Sequence, residues 1–177
     1  IERLNLPMRS REECARTIGL PLKECFSSII PMTDEQAEEC AEVYSEIFNV
    51  KNVPGVVKAF PGVVETLERL SAQGILMSIA SSRSHRTLAK LMDELDLSKY
   101  ITYLIAADDV VEKKPAAESV LKTLRHFNVE AHETLVVGDT EFDILMGRNA
   151  GTHTCGVTYG NGNKESLEAA KAEWIVC

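Results

Sequence analysis

Three short segments carry side chains that suit phosphate and a hard cation. Ser81-Ser82-Arg83 follows the apolar run Ile75–Ala80, and Lys113-Lys114-Pro115 lies just beyond Ile101–Ala107. Gly138-Asp139-Thr140-Glu141-Phe142-Asp143 follows Thr134–Val137. A serine hydroxyl at a strand end can donate to a phosphate oxygen, joined by backbone N–H groups of the helix that follows. A lysine places a point charge against phosphate and against charge developing in transfer. Asp139 and Asp143 stand four apart at a helix start, so they share a face and can bind or position a cation. Mg2+ suits them because it takes few protein carboxylates and completes its shell with water and substrate phosphate. Together these groups point to phosphoryl chemistry.

Each also has a plainer reading. Ser81 or Ser82 could cap the next helix, and Lys114 could be a solvated loop lysine. Asp143 could close a capping box with Thr140, while Asp139 sits beside the helix dipole. Asp108 and Asp109 read as turn residues, and Arg83 as a surface or phosphate contact. His85, His126, His132 and His153 share no spacing and read as structural. Gly160-Asn161-Gly162 lacks the third glycine of a dinucleotide fingerprint. No phosphate-binding lysine loop and no G-x-S-x-G elbow occurs. What favours the phosphate reading is joint placement, three complementary groups at three strand ends, where open α/β sheets gather their ligands.

The elements that would position these groups alternate from Pro61 onward. Val63, Val64, Leu67 and Leu70 mark a helix ending at Gly74, and Leu88, Leu91, Met92 and Leu95 another. Pro115 is expected to open a helix carrying Val120, Leu121, Leu124 and Phe127, and a further helix follows Asp139 and stops near Gly151. Thr152–Val157 and Trp174–Val176 complete the strands. Short apolar strands alternating with helices predict a parallel sheet covered on both faces. Residues 1–50 read as helices instead. Ser10 with Glu13 and Thr33 with Gln36 form capping boxes, Gly19 reads as a helix stop, and Pro21 opens a helix with Leu22, Phe26, Ile29 and Ile30 on one face. Ala37, Cys40, Ala41, Tyr44, Ile47 and Phe48 recur at helical spacing, and such short helices need a partner to bury their apolar faces.

The chain has 177 residues, 45% hydrophobic and 26% charged, with 27 acidic against 19 Lys and Arg residues and a net charge of −8. That field repels phosphate polymers and anionic lipid, so no nucleic-acid or membrane partner is expected. No apolar run approaches the roughly 20 residues of a membrane span. The five scattered cysteines never fall as C-x-x-C, which argues against a disulfide framework or zinc site and for a reducing cytoplasm.

On these residues the sequence resembles the haloacid dehalogenase (HAD) superfamily, in its phosphoglycolate-phosphatase-like branch, over essentially its whole length. Ile75 to Arg83 resembles the second family motif, Lys114-Pro115 the third, and Val136 to Ile144, running on to Gly147-Arg148-Asn149-Ala150-Gly151, the fourth and most specific. Phe60-Pro61-Gly62-Val63 resembles the re-entry into the core after the family's helical cap, and Ile18-Gly19-Leu20-Pro21-Leu22 a loop within that cap. The resemblance implies an α/β fold, a Rossmann-like parallel sheet with helices on both faces plus a small α-helical cap. It also implies hydrolysis of a small phosphorylated metabolite, a phosphate monoester, through an aspartyl-phosphate with Mg2+. Ser81 and Ser82 would bind the phosphoryl group, Lys114 would bridge it to the nucleophile, Asp139 would ligate Mg2+, and Asp143 would act in or just behind the metal shell. Gly138-Asp139 together with Asp143 favours a phosphatase over the family's sugar-phosphate mutases.

One family motif is absent. Asp-x-Asp-Gly-Thr, which carries the nucleophile and the general acid/base, occurs nowhere in these residues. The resemblance therefore implies a trimmed version of a longer enzyme: residues 1–56 as an incomplete cap, and 57–177 as a core lacking its first, central strand. Such a chain alone is expected to be inactive. Unpaired backbone groups on the flanking strands would cost roughly 1–3 kcal/mol each where buried. A non-catalytic phosphate-binding or interaction module, with the acidic helix 34–48 facing a partner, is the alternative from a different class. The sequence leaves oligomeric state open.

Overall fold

Local capping chemistry builds the amino-terminal third. A computed structural model describes residues 2–51, 53 and 55–177. Helix α1 (Arg11–Ala15) opens on Ser10, whose N–H donates to Glu13 Oε2 (2.8 Å) while the Glu13 N–H donates to Ser10 Oγ (3.1 Å). Thr33 and Gln36 exchange the same pair of bonds at the start of α3 (Asp34–Lys51). Between them α2 (Leu22–Ser27) follows Pro21. α1 ends four residues short of Gly19, which occupies a left-handed turn (φ +110°) instead of a helix end. Ile29 and Ile30 lie past the end of α2, yet Ile30 is fully buried. Ala37, Cys40 and Ala41 of α3 point inward, whereas Tyr44 and Ile47 of the same stripe remain half-exposed.

The remainder runs α4 (Val63–Ala72), β1 (Ser78–Ala80), α5 (His85–Glu94), β2 (Tyr103–Ile105), α6 (Glu118–Phe127), β3 (Leu135–Gly138), α7 (Glu141–Asn149), β4 (His153–Val157), α8 (Lys164–Ala169) and β5 (Trp174–Val176). Every ladder is parallel, as the alternation of strands and helices predicts. Ile79 and Leu104, on one face of β1–β2, pack with Leu88 and Met92 of α5 and with Val64 and Leu67 of α4. On the other face Ala80 meets Val120 and Leu124 of α6. Helices α7 and α8 cover β3–β4–β5 through Ile144 and Leu167, both fully buried.

The ladders form two pieces, β1–β2 and β3–β4–β5. Ala80 and Val136 pack on the same cluster of Val120, Leu124 and Met146, so the two pieces lie over one helix layer. No ladder joins β1 to β3. β1 and β2 are shorter than the apolar runs that encode them: Ile75 and Leu76 are half-exposed and precede β1, whose partner begins only at Tyr103. Among the described residues, no helix is long and apolar enough to cross a membrane.

Candidate active site

Lys114 is the centre of the arrangement. Its ammonium donates to Asp143 Oδ1 (2.7 Å) and to the Ala80 carbonyl at the end of β1 (2.9 Å), linking the two sheet pieces. Both partners of the ion pair are mostly buried, each side chain 13% exposed. The second Asp143 oxygen accepts from the Thr140 hydroxyl (2.7 Å) and the Thr140 N–H (3.1 Å). Burial pushes the Asp143 carboxyl up, but the Lys114 charge and the bonds from Lys114 and Thr140 more than offset it, holding the group below its ordinary value. The capping box with Thr140 and the approach to Lys114 thus coexist, each using one oxygen. Gly138 is required by this packing, since a Cβ there would collide with the Asp143 side chain.

Asp139 is placed differently. It is half-buried just past β3, and its Oδ2 accepts from the Asn161 N–H (2.7 Å) and the Asn161 side-chain amide (3.2 Å). Its Oδ1 accepts no hydrogen bond among the described residues. That chemistry fits Mg2+, which needs one or two carboxylates and otherwise binds water and phosphate. Both Asp143 oxygens already accept hydrogen bonds. Among the described residues no three Asp, Glu, His or Cys side chains form a metal-binding group, and Asp139 is the carboxylate with an open oxygen.

The serines are not helix caps. Helix α5 begins later, at His85, whose N–H donates to Asp108 Oδ1 (2.7 Å). Ser81 Oγ accepts from the Arg83 N–H, and the Ser82 hydroxyl donates to the Gly19 carbonyl (2.9 Å), 63 residues away. Gly19 also lies against Phe142 and Thr140, so the turn at 17–21 rests directly on the start of α7, which bears Asp143 and follows Asp139. Ser81, Ser82, Lys113, Lys114 and Pro21 line a small cavity of about 10 Å³ there, room for about one water. Arg83 stacks over Phe48 of α3 (5.4 Å) and so contacts the helical third.

Asp108 and Asp109 stay outside the site, as read from the sequence. Asp109 accepts from His85 Nδ1–H (2.7 Å) and the Ala106 N–H (2.8 Å). The larger cavity, about 640 Å³, lies on that side, along β2 with Lys122, Arg125 and His126, away from Lys114 and Asp139. Sequence reasoning did not single out Asn161 as a site residue, although it follows β4 at the same sheet edge as Ser81 and Asp139.

Parallel strands with a lysine, two hydroxyls and two acidic side chains gathered past their carboxyl ends are the arrangement expected of an α/β hydrolase of the HAD type. The family described as haloacid dehalogenase-like hydrolase matches residues 1–157, and the chain belongs to it. A relative from Dickeya dadantii (strain 3937), named Probable phosphatase IndB, is 34% identical over 178 residues, covering 98% of this chain and 76% of that protein. A phosphoglycolate phosphatase from Pseudomonas fluorescens (strain Pf0-1) is 31% identical over 127 residues, 72% of this chain and 46% of that protein. The crystal structure of a haloacid dehalogenase-like hydrolase from Bacteroides fragilis, titled putative, superposes with a TM-score of 0.91 at 26% identity, covering 98% and 83% of the two chains. The chain is thus a HAD-type phosphatase of the phosphoglycolate-phosphatase-like branch.

Proposed function

We propose that this chain is the phosphate-handling part of a Mg2+-dependent phosphatase that hydrolyses a small phosphorylated metabolite. The observation that carries this reading is the double anchoring of Lys114, on Asp143 Oδ1 and the Ala80 carbonyl. It fixes an ammonium between the end of β1 and the first turn of α7, beside Ser81 and Ser82. A phosphoryl group there would receive hydrogen bonds from Ser81, Ser82 and Lys114, which offset the charge on its oxygens. Asp139 would hold Mg2+, which when bound draws charge from the phosphoryl oxygens and orients them. Asp143 would act by keeping Lys114 aimed.

The accepting carboxylate is not among these residues by resemblance. A strand between β1 and β3, pairing with both, would present its end to Lys114. Its carboxylate oxygen would attack phosphorus as the bond to the leaving alkoxide breaks. Water would then hydrolyse the aspartyl-phosphate, releasing inorganic phosphate. Residues 1–56 read as the cap that closes on the site and 57–177 as the core. Closure excludes water from the charged groups. Free cysteines, Cys177 exposed among them, suit a reducing cytoplasm.

The test is phosphate release by the full-length gene product from a panel of phosphate monoesters, phosphoglycolate included, with Mg2+ and with EDTA. Mg2+-dependent release that Asp139→Asn abolishes supports the reading. Isomerised sugar phosphate without free phosphate would make it a mutase. Phosphate binding without turnover would make it a binding module.

A further inference from the structure

The loop between β4 and α8 contacts the site at Asp139. It is held at both ends. The Thr158 N–H donates to the Val176 carbonyl (3.0 Å), fixing the start to β5. Asn163 caps α8, accepting from the Ser166 N–H at 2.8 Å. Tyr159 packs on Phe60 (5.1 Å between ring centroids), where the chain leaves the helical third. Asn161 sits between these anchors and directs two donors, one backbone and one side-chain, onto a single oxygen of Asp139.

The flanking glycines show how tight that approach is. A Cβ on Gly160 would collide with the Asp139 carboxylate, and one on Gly162 with the Asp139 carbonyl. Neither glycine has a left-handed backbone, so the requirement is clearance, not conformation. Every other residue type would push the loop away from Asp139. Gly160-Asn161-Gly162 thus has a local explanation that needs no dinucleotide.

We propose that Asn161 is a positioning residue for Asp139: its two donors fix Oδ2 and present Oδ1 to the cation, and Gly160 and Gly162 give the loop the clearance to do so. This rests on the reading of Asp139 as the Mg2+ ligand. Donors that orient a ligating side chain restrict its rotation before the ion arrives. Removing such a partner generally weakens metal binding tenfold or more.

The experiment is Mg2+ titration of the full-length gene product by calorimetry, with Mn2+ water-proton relaxation as a second probe and thermal melting as a fold control. Asn161→Ala should weaken Mg2+ about tenfold without moving the melting temperature, and Asn161→Gly, which also keeps the backbone donor, should behave alike. Gly160→Val should weaken it at least as much. Asp139→Asn should abolish binding. If Asp139→Asn abolishes binding and both Asn161 variants bind as wild type does, the positioning role is overturned while the Asp139 reading stands. If Asp139→Asn binds like wild type, or neither binds, the metal reading falls and the proposal falls with it. A metal-free readout guards against misfolded variants: the Asn161 amide should exchange about tenfold faster with solvent in Asp139→Leu. An unchanged rate would show that the amide never depended on that carboxylate, and would overturn the proposal.

Discussion

Asp139 and Asp143 lie four residues apart at the start of one helix, in opposite circumstances. Asp143 is buried, ion-paired, and has both oxygens committed to Lys114 and Thr140. Asp139 is half-buried, with one oxygen tied to Asn161 and the other open. The same side chain is tied into the fold in one place and keeps an open oxygen in the other. Environment decides which: a carboxylate that satisfies neighbours stabilises the fold, and one left partly unsatisfied can take a ligand.

Removing the cation from the buried pair should produce the largest effect. Lys114→Met leaves the Asp143 charge buried without compensation, which costs about 3–5 kcal/mol. Asp139→Asn removes no buried pair and should stay within about 0.5 kcal/mol. Urea unfolding of both variants checks this. Adding Asp143→Leu to Lys114→Met should recover most of the loss, because no orphaned charge then remains. Equal costs for Lys114→Met and Asp139→Asn would erase the distinction.

The buried carboxylate should also dominate the acid limb of stability. Its pKa is lowered in the folded state, so between the folded value and the unfolded value near 4 the unfolded chain binds more protons. The contribution is complete above about pH 4 and is lost as pH falls through the folded value. Asp143→Asn should flatten the urea midpoint between pH 5 and pH 2.5.

His85 gives a smaller effect of opposite sign. The hydrogen bond that its ring donates to Asp109 raises its pKa, so its contribution is present below about pH 6.5 and fades as pH rises through the folded value. The ring is half-exposed, so the alkaline slope should be slight, and His85→Gln should remove it. A large alkaline slope surviving in that variant would assign it to another group.

Much of this was legible in the sequence because local signals are strong. The capping boxes, the strand–helix alternation and the grouping of Ser81, Lys114, Asp139 and Asp143 at strand ends all follow from residue type and spacing. What failed were boundaries and long-range contacts. Helix α6 starts at Glu118, not Pro115, because Glu118 turns back to accept from the Val111 and Glu112 N–H groups and keeps the preceding segment as a loop. That loop carries Lys114 to the site. The bond from Ser82 to Gly19 and the clasp of Asn161 on Asp139 join residues 63 and 22 positions apart, and no periodicity encodes them.

One strand earlier, neighbouring residues repeat the contrast and offer its finest test. Val136 faces Met146 and α6, whereas Val137 on the opposite face is 58% exposed, in line with Leu135, Trp174 and Val176, each about half-exposed. An apolar run reads alike at both positions, so sequence alone would bury both. Valine to threonine keeps shape and adds a hydroxyl. At Val136 that hydroxyl enters an apolar contact and should cost about 1–3 kcal/mol. At Val137 it meets solvent and should change stability by less than about 0.5 kcal/mol. Paired unfolding midpoints measure the difference. A substantial cost at Val137 would mean that this face of β3–β4–β5 is covered in solution, with its apolar row buried as fully as the row that meets α7.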